Sequence, residues 1–327
     1  MLVLSKSEIA RLLPIPACID IMARAMTQTS QRRVSLPLRQ FMPVPQTTGR
    51  LGLMPGYIAE PARFGLKIVA KYDRPLGSKH GTHVGAVMLF DAVEGLPLAL
   101  LEGGTLTAIR TAAASGLATR TLARPDSIVL GLLGCGEEAH VHIPAMLAVR
   151  PFVEILVWGR SLDKAQAFVG RLDLPTGITA RVMASAHDVV AASDVVCTVT
   201  SAAMPILNGD WIKPGTHLNL VGSAVATTAE VDSTCVARSQ FYVDYREAAL
   251  AQAGELLNAI KAGIVTPAHI AGEIGEVLLG TAPGRKSPDD ITIYKSLGIA
   301  AQDLAAADYV YTAARAQNVG IEVDLAA

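Results

Sequence analysis

The sequence predicts an α/β protein, a Rossmann-type doubly wound parallel sheet joined to a second α+β domain. Three observations predict it. Ser127 to Gly134 is a short run rich in Ile, Val and Leu, the pattern of a strand buried on both faces, and it leads directly into Gly134-x-Gly136-x-x-Ala139 and a helix-compatible segment. Beyond that point candidate strands alternate with candidate helices, as a parallel sheet with crossover helices requires. Before it, several candidate strands follow one another without long helices, which reads as an antiparallel sheet of separate construction. A chain of 327 residues is long for one core, and the change of pattern sets a domain boundary near residue 120.

The composition narrows the class. Hydrophobic residues make up 51% and charged residues 17%, so a large core is readily filled; the net charge of −1 argues against a nucleic-acid or other polyanionic partner. Gly, Pro or charge interrupts every apolar stretch before it reaches the length of a membrane-spanning helix. The N-terminus, MLVLSKSEIARLL, contains an acid and has no basic segment ahead of its apolar run, so no signal peptide is expected. Cys18, Cys135, Cys197 and Cys235 are scattered with no CxxC pair, which fits reduced, mostly buried thiols. The expectation is a soluble cytoplasmic protein.

Taken in order, Ser5 to Ala25 reads as helical, interrupted by Pro14 and Pro16. Val34 to Val44, Gly52 to Tyr57, Phe64 to Lys71 and His83 to Phe90 read as strands. Leu96 to Leu101 is the hairpin partner of the last, across a Glu94-Gly95 turn. In strict alternation Lys67 shares a face with Gly65 and Val69, opposite Leu66, Ile68 and Ala70, and most lysines in that setting point to solvent. Thr105 to Arg124 is a convincing Ala-rich helix. Arg110 lies in its early turns, where a cation opposes the helix dipole; a partner anion, such as a substrate carboxylate or cofactor phosphate, would offset that cost. The competing reading is a solvated arginine. Arg39, Lys67 and Arg110 together could hold a carboxylate, but spacing alone does not show it.

In the glycine segment each small residue has a physical job. Gly134 permits the tight turn, Gly136 lets a pyrophosphate approach the backbone, and Ala139 lets the helix pack close to its strand, leaving free N–H groups facing the phosphates. Glu154 to Trp158 is the second parallel strand. Further strands are expected at Ile178 to Met183, Val195 to Thr200, Thr216 to Val221 and Phe241 to Val243. Helices are expected at Ala165 to Leu172, Ala184 to Ala192 and Glu247 to Ala262. Where an NAD-preferring site places an acid after the second strand, this chain has Arg160, then Ser161 and Lys164; an arginine there suits a 2′-phosphate and favours NADP(H), with NAD(H) also possible. Alternatively Ser161 caps its helix and Arg160 is solvated. His140-x-His142 lacks the i, i+4 spacing of helical metal ligands, and no metal site is expected. Asp232, on the C-terminal side of the parallel sheet, is a candidate acid/base, with helix capping by Asp232 or Ser233 as the competing reading.

Together, Pro37-Leu-Arg39, Met54-Pro55-Gly56-Tyr57, Lys67, Thr107-Ala-Ile-Arg110-Thr111, Gly134-Cys135-Gly136, Val221-Gly222-Ser223, Val231-Asp232 and Lys295-Ser296-Leu297-Gly298 resemble the ornithine cyclodeaminase/mu-crystallin family over nearly the whole chain. The resemblance implies a homodimer. Its substrate-binding and dimerisation domain comprises residues 1–120, with 300–327 returning to it, and its dinucleotide-binding domain comprises residues 121–299. The Lys295 block opens a helical segment running to about Gln317. The resemblance also implies that Arg39, Met54, Lys67 and Arg110 bind the substrate, and that Lys67 and Asp232 are catalytic. By the same likeness His83, Arg110, Thr111, Gly134, Cys135, Gly136, Glu137, Glu138, Arg160, Ser161, Val221 and Ser296 contact the cofactor.

The family contains lyases and reductases. Members that cyclise ornithine carry an acid two positions before the Met-Pro pair, for the distal amine; this chain has Gly52 there, as the ketimine reductases do. A buried amine without that partner would lose roughly a few kcal/mol. The expectation is an NAD(P)H-dependent reductase of cyclic imino acids. An ornithine cyclodeaminase, an alanine-type dehydrogenase and a non-catalytic small-ligand binding protein are the alternatives.

Overall fold

The computed structural model describes residues 1–72, 81 and 83–325, the side chain of His83 excepted. In chain order the elements are β1 (Leu2–Leu4), α1 (Lys6–Leu12), α2 (Ile15–Ser30), β2 (Val34–Ser35), β3 (Gln40–Pro43), β4 (Arg50–Ala59), β5 (Ala62–Lys71), β6 (His83–Asp91), β7 (Pro97–Glu102) and α3 (Gly103–Leu122). Next come β8 (Val129–Leu133), α4 (Glu137–Leu147), β9 (Glu154–Trp158), α5 (Leu162–Val169), β10 (Thr179–Val182), α6 (Ala186–Ala192), β11 (Val195–Thr198) and β12 (His217–Leu220). The chain continues through α7 (Ser233–Ala237), β13 (Gln240–Val243), α8 (Arg246–Gln252), α9 (Gly254–Lys261), β14 (Ile270–Glu273) and α10 (Ile274–Leu278). It ends with β15 (Thr292–Lys295), α11 (Ala300–Gln317) and β16 (Ile321–Glu322). Two compact units result, Met1–Arg110 with Ile299–Ala327, and Thr111–Gly298.

The first unit is built on an eight-stranded sheet of order β16-β1-β7-β6-β5-β4-β2, with β3 also paired to β4. Every pairing in it is antiparallel except β1 with β7. The helix expected from Ser5 to Ala25 is two helices, α1 and α2. Pro14 cannot continue the first, whereas Pro16 sits in the first turn of the second, where its missing N–H is not needed.

The face carrying Lys67 is the inner one, contrary to the solvent-facing expectation for that lysine. Gly52, Met54 and Gly56 of β4 lie opposite Val69, Lys67 and Gly65 of β5, and α11 packs over this face. Gly56 and Gly65 admit the helix: a Cβ on Gly56 would stand 2.7 Å from the Ala300 Cβ, and one on Gly65 would stand 2.8 Å from Leu304 and collide with the Met88 carbonyl. Arg63 secures α11 further along, donating to Asp308 at 2.7 Å and to Asp91 at 3.0 Å. The apolar alternates, Phe64 and Ile68, remain exposed on the opposite face. Alternation predicts two faces; the packing of α11 decides which is inside.

The second unit is an eight-stranded sheet of order β10-β9-β8-β11-β12-β15-β13-β14, all parallel. Its winding reverses at β8, which has β9 on one side and β11 on the other, so the crevice at the C-terminal ends of β8 and β11 is the switch point. Two expectations are corrected here. Glu247 to Ala262 is two helices broken at Ala253, whose ψ of 92° is not helical. Lys295 does not open a helix; it ends the central strand β15, fully buried, and α11 begins only at Ala300. The intervening turn is held by Asp244, whose carboxylate accepts from the backbone N–H groups of Leu297 and Gly298 at 2.9 and 2.7 Å.

Candidate active site

In the first unit three elements converge on one carboxylate. Lys67 of β5 donates to Asp303 Oδ1 at 3.0 Å, with Oδ2 2.8 Å from the same ammonium, and Arg110 of α3 donates to Oδ1 from Nε at 2.8 Å. Arg110 also donates from Nη1 to Gln302 Oε1 at 2.9 Å. All four side chains are buried. Met54, cross-strand partner of Lys67, is buried on the same face. Arg39, in the segment preceding β3, is close enough to act electrostatically on Lys67.

The electrostatics follow from burial and charge count. Burial, with Arg110 next and Arg39 adding, pulls Lys67 down to about 7, against the opposing pull of Asp303. Burial disfavours the Asp303 carboxylate, but Arg110 and Lys67 outweigh it and hold the group below its ordinary value. Asp303 therefore supplies the partner anion that the placement of Arg110 calls for. At the start of α3, the Glu102 carboxylate accepts from Gly104 N at 2.6 Å and Thr105 N at 2.9 Å, meeting the helix dipole separately. One carboxylate against Lys67 and Arg110 leaves an excess of positive charge, the condition for binding a small anion.

In the second unit the glycine turn has the shape a pyrophosphate needs. Gly134 takes φ +121°, and a Cβ there would stand 2.7 Å from the Val199 carbonyl, so β8 and β11 can approach only with glycine at that position. At Gly136, by contrast, a Cβ would meet nothing within 4 Å. Gly136 is the N-cap of α4 and lends no side chain to it, so the first-turn N–H groups stay open to a ligand. Cys135, Glu137 and Glu138 occupy the same turn; burial raises the Cys135 thiol. These features fit a dinucleotide phosphate.

Other expected cofactor residues lie at the same C-terminal edge of the sheet. Ser161 follows β9 and accepts from Lys164 N at 3.4 Å as the cap of α5, and Arg160 beside it is exposed. Val221 follows β12, and Ser296 follows β15 with its N–H donating to Leu220 O at 3.0 Å. Thr111 lies buried in mid-α3. Of His83 only the backbone, opening β6, is within the described structure. Asp232 caps α7, its Oδ1 accepting from Cys235 N at 2.8 Å and Gly209 N at 3.0 Å, and it is half-buried. His142 is buried and bonded to Ser115 and the Glu138 carbonyl; burial takes it down to about 4. His140 packs edge-on against Phe168.

Two polar groups have no marked local pattern in the sequence, Gln302 with Asp303 and Glu230 with Glu255. Gln302 and Asp303 are the first; they stand only as a polar pair in the otherwise apolar run from Gly298 to Ala307. The second lies at the sheet edge. Glu230 accepts from Thr198 Oγ1, from Thr200 N and Oγ1, and from Gly222 N, tying the end of β11 to that of β12. Burial raises its pKa against these bonds and Lys295. Lys295 donates to Ser223 O at 2.6 Å and Glu255 Oε1 at 3.1 Å. Only the fold brings residues so far apart together.

These features define a Rossmann-class protein with a second α+β unit that carries a buried, anion-seeking basic cluster. The chain belongs to the ornithine cyclodeaminase/mu-crystallin family, whose model matches residues 1–318. It is 37% identical to the ketimine reductase mu-crystallin of Mus musculus over 278 residues, covering 85% of each chain. It is 34% identical to a Delta(1)-pyrroline-2-carboxylate reductase of Bacillus cereus over 327 residues, covering 99% of this chain and 100% of the relative. Among solved structures it resembles Thermococcus litoralis Delta(1)-pyrroline-2-carboxylate reductase in complex with NADH and L-proline. The TM-score is 0.95 at 32% identity, covering 99% of this chain and 100% of that one. Among the described residues, no helix is long and apolar enough to cross a membrane.

Proposed function

We propose that this protein is an NAD(P)H-dependent reductase of cyclic imino acids, converting Δ1-pyrroline-2-carboxylate or Δ1-piperideine-2-carboxylate to L-proline or L-pipecolate. The observation that carries the reading is the inner face of β4 and β5, where buried cations exceed Asp303 and Gly52 supplies no acid for a second amine. A substrate with one carboxylate and one ring nitrogen suits that face; a diamino acid does not. The named activities of the mouse, Bacillus and Thermococcus proteins support the same reading.

The first unit is the substrate-binding domain in this reading, and the second binds the dinucleotide. Arg39, Lys67 and Arg110 hold the carboxylate, with Met54 packing beside it. A nicotinamide, when bound, supplies hydride to the imine carbon. Lys67, poised near neutrality, can also deliver a proton. Asp232 is assigned the protonation of the ring nitrogen. Gly134 to Glu138, Thr111, Ser161, Val221 and Ser296 are assigned to the dinucleotide, and the family resemblance assigns Arg110 and His83 to it as well. Exposed Arg160 favours NADP(H) over NAD(H). The outer face of the first sheet exposes Phe64, Ile68 and Val84, which alternate away from Lys67 or pair across from residues that do; we assign it to a homodimer contact of a cytoplasmic enzyme.

The test is an assay of the purified protein with NADPH or NADH and each cyclic imine, with pyruvate plus ammonia, and separately with ornithine and NAD. Rapid NADPH oxidation with cyclic imines alone is expected. Ammonia and proline formed from ornithine would overturn the assignment.

A further inference from the structure

We propose that Gln302 is a further ligand-binding residue, its Nε2 donating a hydrogen bond to a carboxylate oxygen of the substrate held by the basic cluster. Gln302 lies in the first turn of α11 and is fully buried. Its Oε1 accepts from Arg110 Nη1 at 2.9 Å and from Ile299 N at 3.4 Å. A guanidinium and a backbone N–H can only donate, so they fix the amide orientation: oxygen towards Arg110, nitrogen away from it. Nε2 has no hydrogen-bond partner among the described residues, although it is buried.

A buried amide donor without an acceptor is costly and rare in folded proteins. No neighbouring side chain satisfies it in this arrangement. The Lys67 ammonium and the two guanidinium groups of Arg110 and Arg39 have no acceptor atoms, and neither Asp303 oxygen accepts from it: Oδ1 is bonded to Lys67 and Arg110, and Oδ2 faces the Lys67 ammonium. The donor is open to an acceptor from a ligand, and the excess of Lys67 and Arg110 over Asp303 favours an anionic one. A carboxylate offers two oxygens and about four acceptor positions, enough to serve the amide together with the cations. The proposal rests on the substrate class assigned above and adds a neutral donor, which cannot titrate, to the carboxylate site.

Two variants separate the donor from the other roles of Gln302. Gln302→Glu keeps an oxygen for Arg110 and replaces the donor with a second acceptor. Gln302→Met removes donor and acceptor at similar volume without adding charge. Steady-state kinetics with the cyclic imine and NADPH would be measured alongside calorimetric binding of L-proline and L-alanine, with thermal melting as the check on folding. Both variants should raise the imine KM and the Kd of the amino acids about tenfold or more. Unchanged KM and Kd in both would overturn the proposal. So would a rise confined to Gln302→Glu, because the cost would then come from the added charge. A wild-type protein that binds the amino acids but reduces no cyclic imine would refute the assigned reaction, and amino-acid binding by the two variants would still decide the role of Gln302.

Discussion

Asp303 and Lys67, 236 positions apart in sequence, form a buried ion pair with nitrogen–oxygen distances of 3.0 and 2.8 Å. The pair exists because Gly56 and Gly65 let α11 lie against β4 and β5, and because β5 turns its lysine inward. Arg110 shares the same carboxylate, so Asp303 is the common counter-charge of two buried cations.

Asp303→Asn should therefore cost more than a surface pair. Removing one partner of a buried ion pair typically costs about 3–5 kcal/mol, because the remaining charge is left uncompensated. Urea denaturation should show a loss of that order. Since Asp303 raises the Lys67 pKa, the variant should also lose substrate affinity at a lower pH than wild type. An unchanged denaturation midpoint would show that Asp303 does not carry the pair.

The depressed pKa of Lys67 makes stability and binding move in opposite directions with pH. In the folded chain Lys67 releases its proton at about 7, whereas its ordinary value is 10.5. Between those values the unfolded chain holds the extra proton, so the contribution of Lys67 to stability rises with pH across this window. Over the same range the ammonium proposed to hold the carboxylate is lost, and kcat/KM for the imine should fall above about pH 7. Lys67→Met should flatten both trends and lower kcat/KM about tenfold or more. A wild-type profile that stays level from pH 7 to 9 would remove Lys67 from carboxylate binding.

The two glycines of the turn should fail differently. Gly134→Ala places a Cβ against the Val199 carbonyl at positive φ and should destabilise the second unit by about 1–3 kcal/mol. Gly136→Ala meets no atom of the protein and has a φ of −98° that alanine accepts, so its melting temperature should be near that of wild type. Its methyl group should nevertheless weaken dinucleotide binding, measured by protein fluorescence titration. Equal dinucleotide affinity in Gly136→Ala would argue against phosphate approach at this residue.

Arg160→Glu tests the cofactor preference. A carboxylate at the end of β9 repels a 2′-phosphate and can accept from ribose hydroxyls, so kcat/KM with NADPH should fall about tenfold or more relative to NADH. Equal ratios in variant and wild type would leave Arg160 without a role in that choice.

Much of the architecture can be read from local pattern. The period of the strands and the Gly134-x-Gly136-x-x-Ala139 turn identify the parallel sheet because a strand, a tight turn and a helix start are local events. The pattern was less reliable where long-range packing overrides local preference. Lys295 looked like the start of a helix and is the buried end of β15. The short strands β1 and β16, of three and two residues, are too short to show a period. Glu230 and Asp232, two positions apart, differ in how far they can be read: the cap that Asp232 makes to Cys235 N is local, whereas its bond to Gly209 N and the bonds by which Glu230 joins the ends of two strands are not.

The sequence by itself determined the parallel sheet with its dinucleotide turn, and it offered Arg39, Lys67 and Arg110 as candidate cations. Each of those cations was compatible with solvent. The tertiary structure decided that Lys67 and Arg110 are buried around Asp303, with Gln302 beside them. The reason is physical: a charge leaves water only where a partner meets it, and here the partner comes from a helix more than 190 positions further along the chain.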